Sequence, residues 1–198
     1  GTDRPAEYEQ ASHELRLNYD AGGALNFVVG AYLWESQYDI RLRSWITFVV
    51  PGTVLDIPQY THQETDSTAF FFEGDYAFND HWTLNLGGRY TKDEKLSEQR
   101  GNLSTAPDDP EAEWDEFTPK VSVRYKFNDD AMAYFTYAEG YRSGGFNGRV
   151  DSQDSARIPY DPEFVDNYEL GFKTQWMDDR LRLNGAIFYM DYTDKQEE

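Results

Sequence analysis

The sequence contains no cysteine, so it carries neither a disulfide framework nor a thiolate site. Its histidines, His13, His62 and His81, are scattered and show no metal-ligand spacing. No run of roughly eighteen apolar residues occurs, which excludes a transmembrane helix, and the first residues lack the shape of a signal peptide. Positive charge is scarce as well: 18 Lys and Arg stand against 37 Asp and Glu. The resulting net charge of -19 argues against a nucleic-acid binder, which needs a basic footprint, and equally suits a solvated acidic surface.

Aromatic residues are abundant, at 17% of 198 residues, although the mean hydropathy is only -0.80. That pairing suits a sheet with every second residue apolar, because the polar half of each strand hides the apolar half in the average. The stretch from Ala133 to Asn147 sets the plan. Its first half alternates and is crowded with aromatics, which favour strands, and its second half dissolves at Gly144-Gly145 into a loop reaching about residue 163.

The same plan recurs along the chain. Residues 1–11 read as polar loop, and a first strand from about Ser12 to Tyr19 leads into the turn Asp20-Ala21-Gly22-Gly23. Leu25, Phe27, Val29, Ala31 and Leu33 share one face of a second strand reaching about Arg41; a long loop with Pro51-Gly52 and Pro58 is expected over 45–65. Phe70, Phe72, Tyr76 and Phe78 alternate up to the turn at Asn79-Asp80-His81, and Trp82, Leu84, Leu86 and Tyr90 alternate after it. An acid-rich loop is expected over about 93–116. Phe117, Val121, Val123, Tyr125 and Phe127 precede the turn at Asn128, and Tyr168, Leu170, Phe172 and Trp176 precede the one at Met177-Asp178-Asp179-Arg180. Leu181, Leu183, Ile187 and Tyr189 complete the series.

Eight strands in four hairpins, with short turns at one end and long loops at the other, predict an all-β, antiparallel transmembrane β-barrel segment. Lipid offers the backbone no hydrogen bonds, so only a closed sheet can satisfy it there. Aromatics beside each short turn (Tyr19, Phe78 with Trp82, Phe127, Trp176) match an interfacial girdle. Four turns against three loops place both ends of the chain on the long-loop side, so we expect residues 1–198 to be part of a larger barrel with two open edges. The competing reading from the same alternation is a soluble β-sandwich binding domain.

The run Tyr137-Ala138-Glu139-Gly140-Tyr141-Arg142-Ser143-Gly144-Gly145-Phe146-Asn147 resembles a barrel motif of TonB-dependent outer-membrane receptors. Phe117-Thr118-Pro119-Lys120-Val121-Ser122, Tyr168-Glu169-Leu170-Gly171-Phe172-Lys173, Leu86-Gly87-Gly88-Arg89-Tyr90 and Ser12-His13-Glu14-Leu15-Arg16-Leu17 extend the resemblance over nearly the whole chain. It implies a Gram-negative outer-membrane location and a barrel of twenty-two strands filled by an N-terminal plug. It implies active import of a scarce nutrient, most often a ferric siderophore, with energy from the TonB complex. The sequence departs from the full pattern in showing no plug, no energy-coupling box and no closing strand with a terminal aromatic. The resemblance leaves the substrate open, and from the residues we expect no cofactor and no enzymatic activity. Barrel proteases and lipases need a base beside a nucleophile, and no such pairing stands out. A passive porin alternates in the same way and stays as an alternative function.

Candidate residues follow from the alternation. Glu73, Asp75, Arg89, Lys120, Arg124, Lys126, Glu169 and Lys173 fall on the inferred lumenal face, either as a docking wall for a plug or as cross-strand charge pairs that keep the wall wet. Arg142, Phe146, Arg149 and Arg157 are candidates for contact with an anionic ligand by charge and stacking. The glycines beside them are expected to let the strand end bulge, and Pro119 is expected to mark a bulge near the loop end. Asn102-Leu103-Ser104 has the form of a glycan acceptor, which a bacterial surface loop makes irrelevant.

Overall fold

The computed structural model describes residues 2–47, 54–101, 109–147 and 158–197. Among these, one antiparallel sheet accounts for every strand. Its strands are β1 (Thr2–Asp3), β2 (Ala6–Asp20), β3 (Leu25–Thr47), β4 (Val54–Ala77), β5 (Trp82–Gly101), β6 (Glu111–Asn128), β7 (Ala131–Arg142), β8 (Glu163–Trp176) and β9 (Leu181–Thr193). From β2 onward each strand pairs with the next in sequence, as in a meander. β1 continues β2 in the same register against β3, and the break falls at Pro5, which has no N–H to donate.

Local chemistry explains the short turns. The side-chain oxygens of Asp20, Asn79 and Asn128 accept backbone N–H bonds at 2.9 Å from Gly22, from His81 and Trp82, and from Asp130 respectively. Such turns let a polar side chain replace the ladder bonds that a reversal removes. Gly22 adopts φ 69°, a left-handed conformation that suits glycine.

Register puts every second residue on one continuous face. Leu17, Val29 and Phe72 lie in one row, Tyr76, Leu84, Val123 and Phe135 in another, and Leu170 faces both Phe135 and Ile187. No described residue covers this face: Phe72 remains 46% exposed and Phe172 44%. A two-layer sandwich would have buried these residues against a second sheet, so the structure rules out that alternative. Among the described residues the only buried apolar side chains are Ile40, Ala69 and Phe146. The apolar surface belongs to a sheet made for lipid, not to a protein core. No helix among the described residues is long and apolar enough to cross a membrane.

The expected loops are shorter than their composition suggested. β3 runs on to Thr47 and β4 starts at Val54, so most of 45–65 is strand; Pro51-Gly52 lies outside the described residues. β5 and β6 likewise take in most of 93–116, with Asn102-Leu103-Ser104 outside the described residues, and β2 begins at Ala6 within the expected leading loop. At about 3.3 Å per residue the 24 residues of β4 reach roughly 80 Å, against an apolar band about 25 Å tall. The excess is a wall standing clear of the lipid. Both its faces carry mainly polar side chains, so the apolar alternation that announces a strand disappears while the backbone ladder continues.

The bulge also lies elsewhere than expected. It falls between Lys126 and Asn128, and pairing of β5 with β6 runs through Pro119 without interruption. What ends at Pro119 is pairing with β7: the last partners are Lys120 and Ala138, although β7 continues to Arg142. A residue with no N–H cannot extend that ladder, and β6 and β7 part above it.

Opposite faces should therefore tolerate charge very differently. In the complete protein, Val123→Arg on the outward face should cost about 2–4 kcal/mol, and Ser122→Arg on the opposite face well under half of that. Urea unfolding in lipid checks the contrast, and equal losses would contradict the assignment of faces.

Candidate functional site

The inward face carries the chemistry. Glu73, Gly87 and Lys120 share one row, and because glycine has no side chain the outer two meet across it, with Lys120 Nζ donating to Glu73 Oε1 at 2.7 Å. One row toward the turns, Asp75 accepts from Asn85 Nδ2 at 3.2 Å and from Arg124 Nη2 at 3.5 Å. Ser122 and Thr136 hydroxyls lie 2.8 Å apart, and Tyr134 donates to Glu169 Oε1 at 2.6 Å while Lys173 Nζ stands 5.7 Å from the Tyr134 ring. These groups line an open depression of about 430 Å³.

All eight expected wall residues have the parity of this face. Arg89 lies higher on it, donating to Thr91 Oγ1 at 3.0 Å with its guanidinium 5.3 Å from the Tyr32 ring. Lys126 lies nearest the turn on the same face, where its ammonium bonds Asp129 Oδ1 at 2.7 Å. Tyr134, Asn85 and Arg182 were not among the expected residues. Arg182 joins Arg124, Lys126 and Lys173 around a second depression at the turn end, and its parity with Asn184 was the signal available in the sequence. The ion pairs here are part-exposed, so each contributes at most about 1 kcal/mol; their value lies in being able to exchange partners.

At the long-loop end the chain after β7 turns inward. Phe146 is 6% exposed, with its ring 6.5 Å from that of Trp114, and its carbonyl accepts from Gln63 Nε2 at 3.1 Å. Its ring thus anchors the segment against the wall instead of facing an open lumen. Arg142 ends β7, in register with Glu163, beside a depression of about 610 Å³. Arg149 and Arg157 lie outside the described residues. Gly144 and Gly145 serve close approach, not a bulge. A Cβ on Gly144 would collide with the Tyr160 carbonyl and stand 2.6 Å from Trp114, and one on Gly145 would meet the Tyr160 hydroxyl at 2.6 Å.

The outward face above the lipid band is strongly acidic. Glu35, Asp66, Glu94 and Glu113 form one cross-strand row, relieved where Lys92 Nζ reaches Glu94 at 2.7 Å and Glu113 at 2.9 Å. Partial desolvation, then Glu35, Glu64 and Glu94, hold the Asp66 pKa above its usual range. Nearby, His62 places Nδ1 3.1 Å from Asp39 and Nε2 3.1 Å from Glu64, while Tyr60 donates to Asp39 at 2.6 Å. Burial pulls the imidazole pKa down, but the two carboxylate hydrogen bonds outweigh it and the net shift is upward. No group of three or more His, Asp or Glu among the described residues is placed to hold a metal ion.

Both clusters give pH predictions for the β3–β4 hairpin. A raised His62 pKa means the staple is complete below the unfolded value of 6.5 and is lost as pH climbs through the folded one. Once the intrinsic base-catalysed rise in exchange rate is divided out, amides in this hairpin should be better protected at pH 5.5 than at pH 8.5, and His62→Gln should remove much of that difference in protection. Asp66→Asn should slow exchange at neutral pH by removing one of the crowded carboxylates; faster exchange would contradict the repulsion.

The sequence model for the family described as "TonB dependent receptor-like, beta-barrel" matches residues 1–198. The pesticin receptor of Yersinia pestis is 27% identical over 139 residues, which is 69% of this chain and 20% of the receptor. A probable TonB-dependent siderophore receptor of Acinetobacter baumannii, PiuA, is 27% identical over 127 residues, 62% of this chain and 17% of its own length. The chain thus spans about a fifth of these relatives. The crystal structure of the ferric yersiniabactin uptake receptor FyuA from Yersinia pestis superimposes with a TM-score of 0.85 at 21% identity, covering 98% of this chain and 30% of that one. For the siderophore receptor PiuA from Acinetobacter baumannii the TM-score is 0.74 at 20% identity, covering 93% and 32%. At such identities the superpositions speak for the fold, while the match along the whole sequence speaks for descent. This chain belongs to the TonB-dependent receptor-like β-barrel family, whose members sit in the outer membrane of Gram-negative bacteria.

Proposed function

We propose that residues 1–198 are part of the barrel wall of an active-transport receptor that imports a ferric siderophore with energy from the TonB complex. The observation that carries this reading is the inward wall of part-exposed, exchangeable charge pairs, Glu73–Lys120 and Asp75–Arg124, behind a continuous lipid face. A plug docked on such a wall can be held by many weak contacts and still move, because each pair can exchange one partner for another of the same sign. Arg89, Glu169 and Lys173 extend this docking surface. Relatives named as siderophore receptors support the substrate class, and the full barrel would have twenty-two strands. Relatives named as receptors support a transport role.

Ligand contact is assigned to the long-loop end, where Arg142 stands and where Arg149 and Arg157 follow in sequence; the Phe146 ring contributes only if its segment lifts from Trp114. A cationic set there suits an anionic iron chelate.

The test uses the complete receptor in a siderophore-uptake-deficient strain. Radioiron supplied as ferric siderophore should accumulate only when both the receptor and a working TonB complex are present. Accumulation without TonB, together with passive swelling of receptor-loaded liposomes in small sugars, would favour a porin. Reversing the charges in Glu73→Lys with Lys120→Glu should preserve uptake better than either change alone.

A further inference from the structure

Three side chains on the inward face donate to consecutive parts of one short segment. Lys95 Nζ reaches the Gly144 carbonyl at 2.6 Å, Gln63 Nε2 the Phe146 carbonyl at 3.1 Å, and Gln99 Nε2 the Asn147 carbonyl at 2.6 Å. Lys95 and Gln99 belong to β5 and Gln63 to β4, whereas the segment leaves from β7, so it has crossed back over β6. The crossing is possible where β6 and β7 part above Pro119.

The other flank is tied too. Gly145 exchanges backbone bonds with Tyr160, at 3.3 and 2.8 Å. Gln196, beyond β9, donates to the Ser143 carbonyl at 3.0 Å and the Asp161 carbonyl at 3.1 Å. In register with these donors are the buried polar residues Thr61, beside Gln99, and Ser97, beside Gln63, with Ser97 and Gln99 entirely hidden. Buried polar residues on a wall open to water elsewhere show that something covers them, and the segment is placed to do so.

Building on the receptor reading above, we propose that Ser143–Asn147 is a fixed transverse brace inside the barrel, with Lys95 and Gln99 as its principal pins. It spans the inward face from β4 to the end of β9 and so resists changes in curvature of this part of the wall. It also roofs the β4–β5 side at the extracellular mouth. A ligand moving between the loops and the interior is then directed past the open flank, beside Arg142, Asn147, Tyr160 and Lys195. The paired glycines follow from this role, since a side chain at either would force the segment off Trp114 and Tyr160.

The absence of cysteine from this chain makes thiol labelling a direct test. The complete receptor, free of other cysteines and held in lipid nanodiscs, is labelled with a water-soluble maleimide at Ser97→Cys, with the exposed Gln37→Cys as reference. The hidden site should react at least tenfold more slowly than the reference. Lys95→Met combined with Gln99→Ala should bring it to within a few-fold of the reference, and Gly144→Val, acting from the other side of the contact, should do the same should the first pair fail to fold. Fast labelling in the parent, or labelling unchanged by both variants in folded protein, would overturn the brace. Leu84→Cys on the lipid face separates the two readings: its rapid labelling from water would sink the membrane assignment, whereas Ser97→Cys results independent of the pins would sink the brace alone.

Discussion

A peptide backbone in hydrocarbon must find every hydrogen bond within the protein, and this constraint governs the sheet from β2 to β9. Each long strand pairs with its sequence neighbour, so no crossover connection is needed and short turns suffice at one end. The outward rows can then be wholly apolar, and the inward rows are free to hold charge, because the ladder leaves side chains with no backbone task. Ordinary soluble sheets gain stability by covering one face with another layer. Here the role of that layer falls to the lipid, which is why the described residues contain almost no apolar core.

The same ladder outlasts the membrane. Beyond Leu33 and Phe70 the β3–β4 pairing continues through Gln37–Glu64 and Asp39–His62 to Thr47–Val54. In this region neither face meets lipid, and side-chain polarity no longer records the strand. That is the physical reason why 45–65 and 93–116 read as loops in the sequence while the intramembrane parts were plain in it. Alternation reports a difference between the two faces, and where both faces carry polar side chains the signal vanishes although the hydrogen bonds remain.

Parity within the band made the inward residues legible: Glu73, Asp75, Lys120, Arg124, Glu169 and Lys173 all stand where counting by twos puts them. Their partners were not legible. Lys120 reaches Glu73 over an intervening strand because residue 87 is glycine, and that depends on a register no single strand reveals. Phe146 was harder still. An aromatic after paired glycines suggests an exposed recognition loop, and only its contact with Trp114 and the captured carbonyls of its neighbours show that it faces the wall.

Two features that look like flaws in a strand act together. Pro119 stops the β6–β7 ladder at Lys120, and the glycines at 144 and 145 let the backbone approach Trp114 and Tyr160 more closely than any side chain would allow. A proline there without the glycines would leave a gap between two strands with nothing to fill it. Glycines without the proline would have no opening through which to lead the chain inward. The backbone that leads on from β7 finds its partners from the opposite direction, with Lys95 and Gln99 on β5 and Gln63 on β4 donating to its carbonyls. The strict pairing of neighbouring strands is thereby relaxed toward the long-loop end, where polar side chains take up carbonyls that no ladder serves.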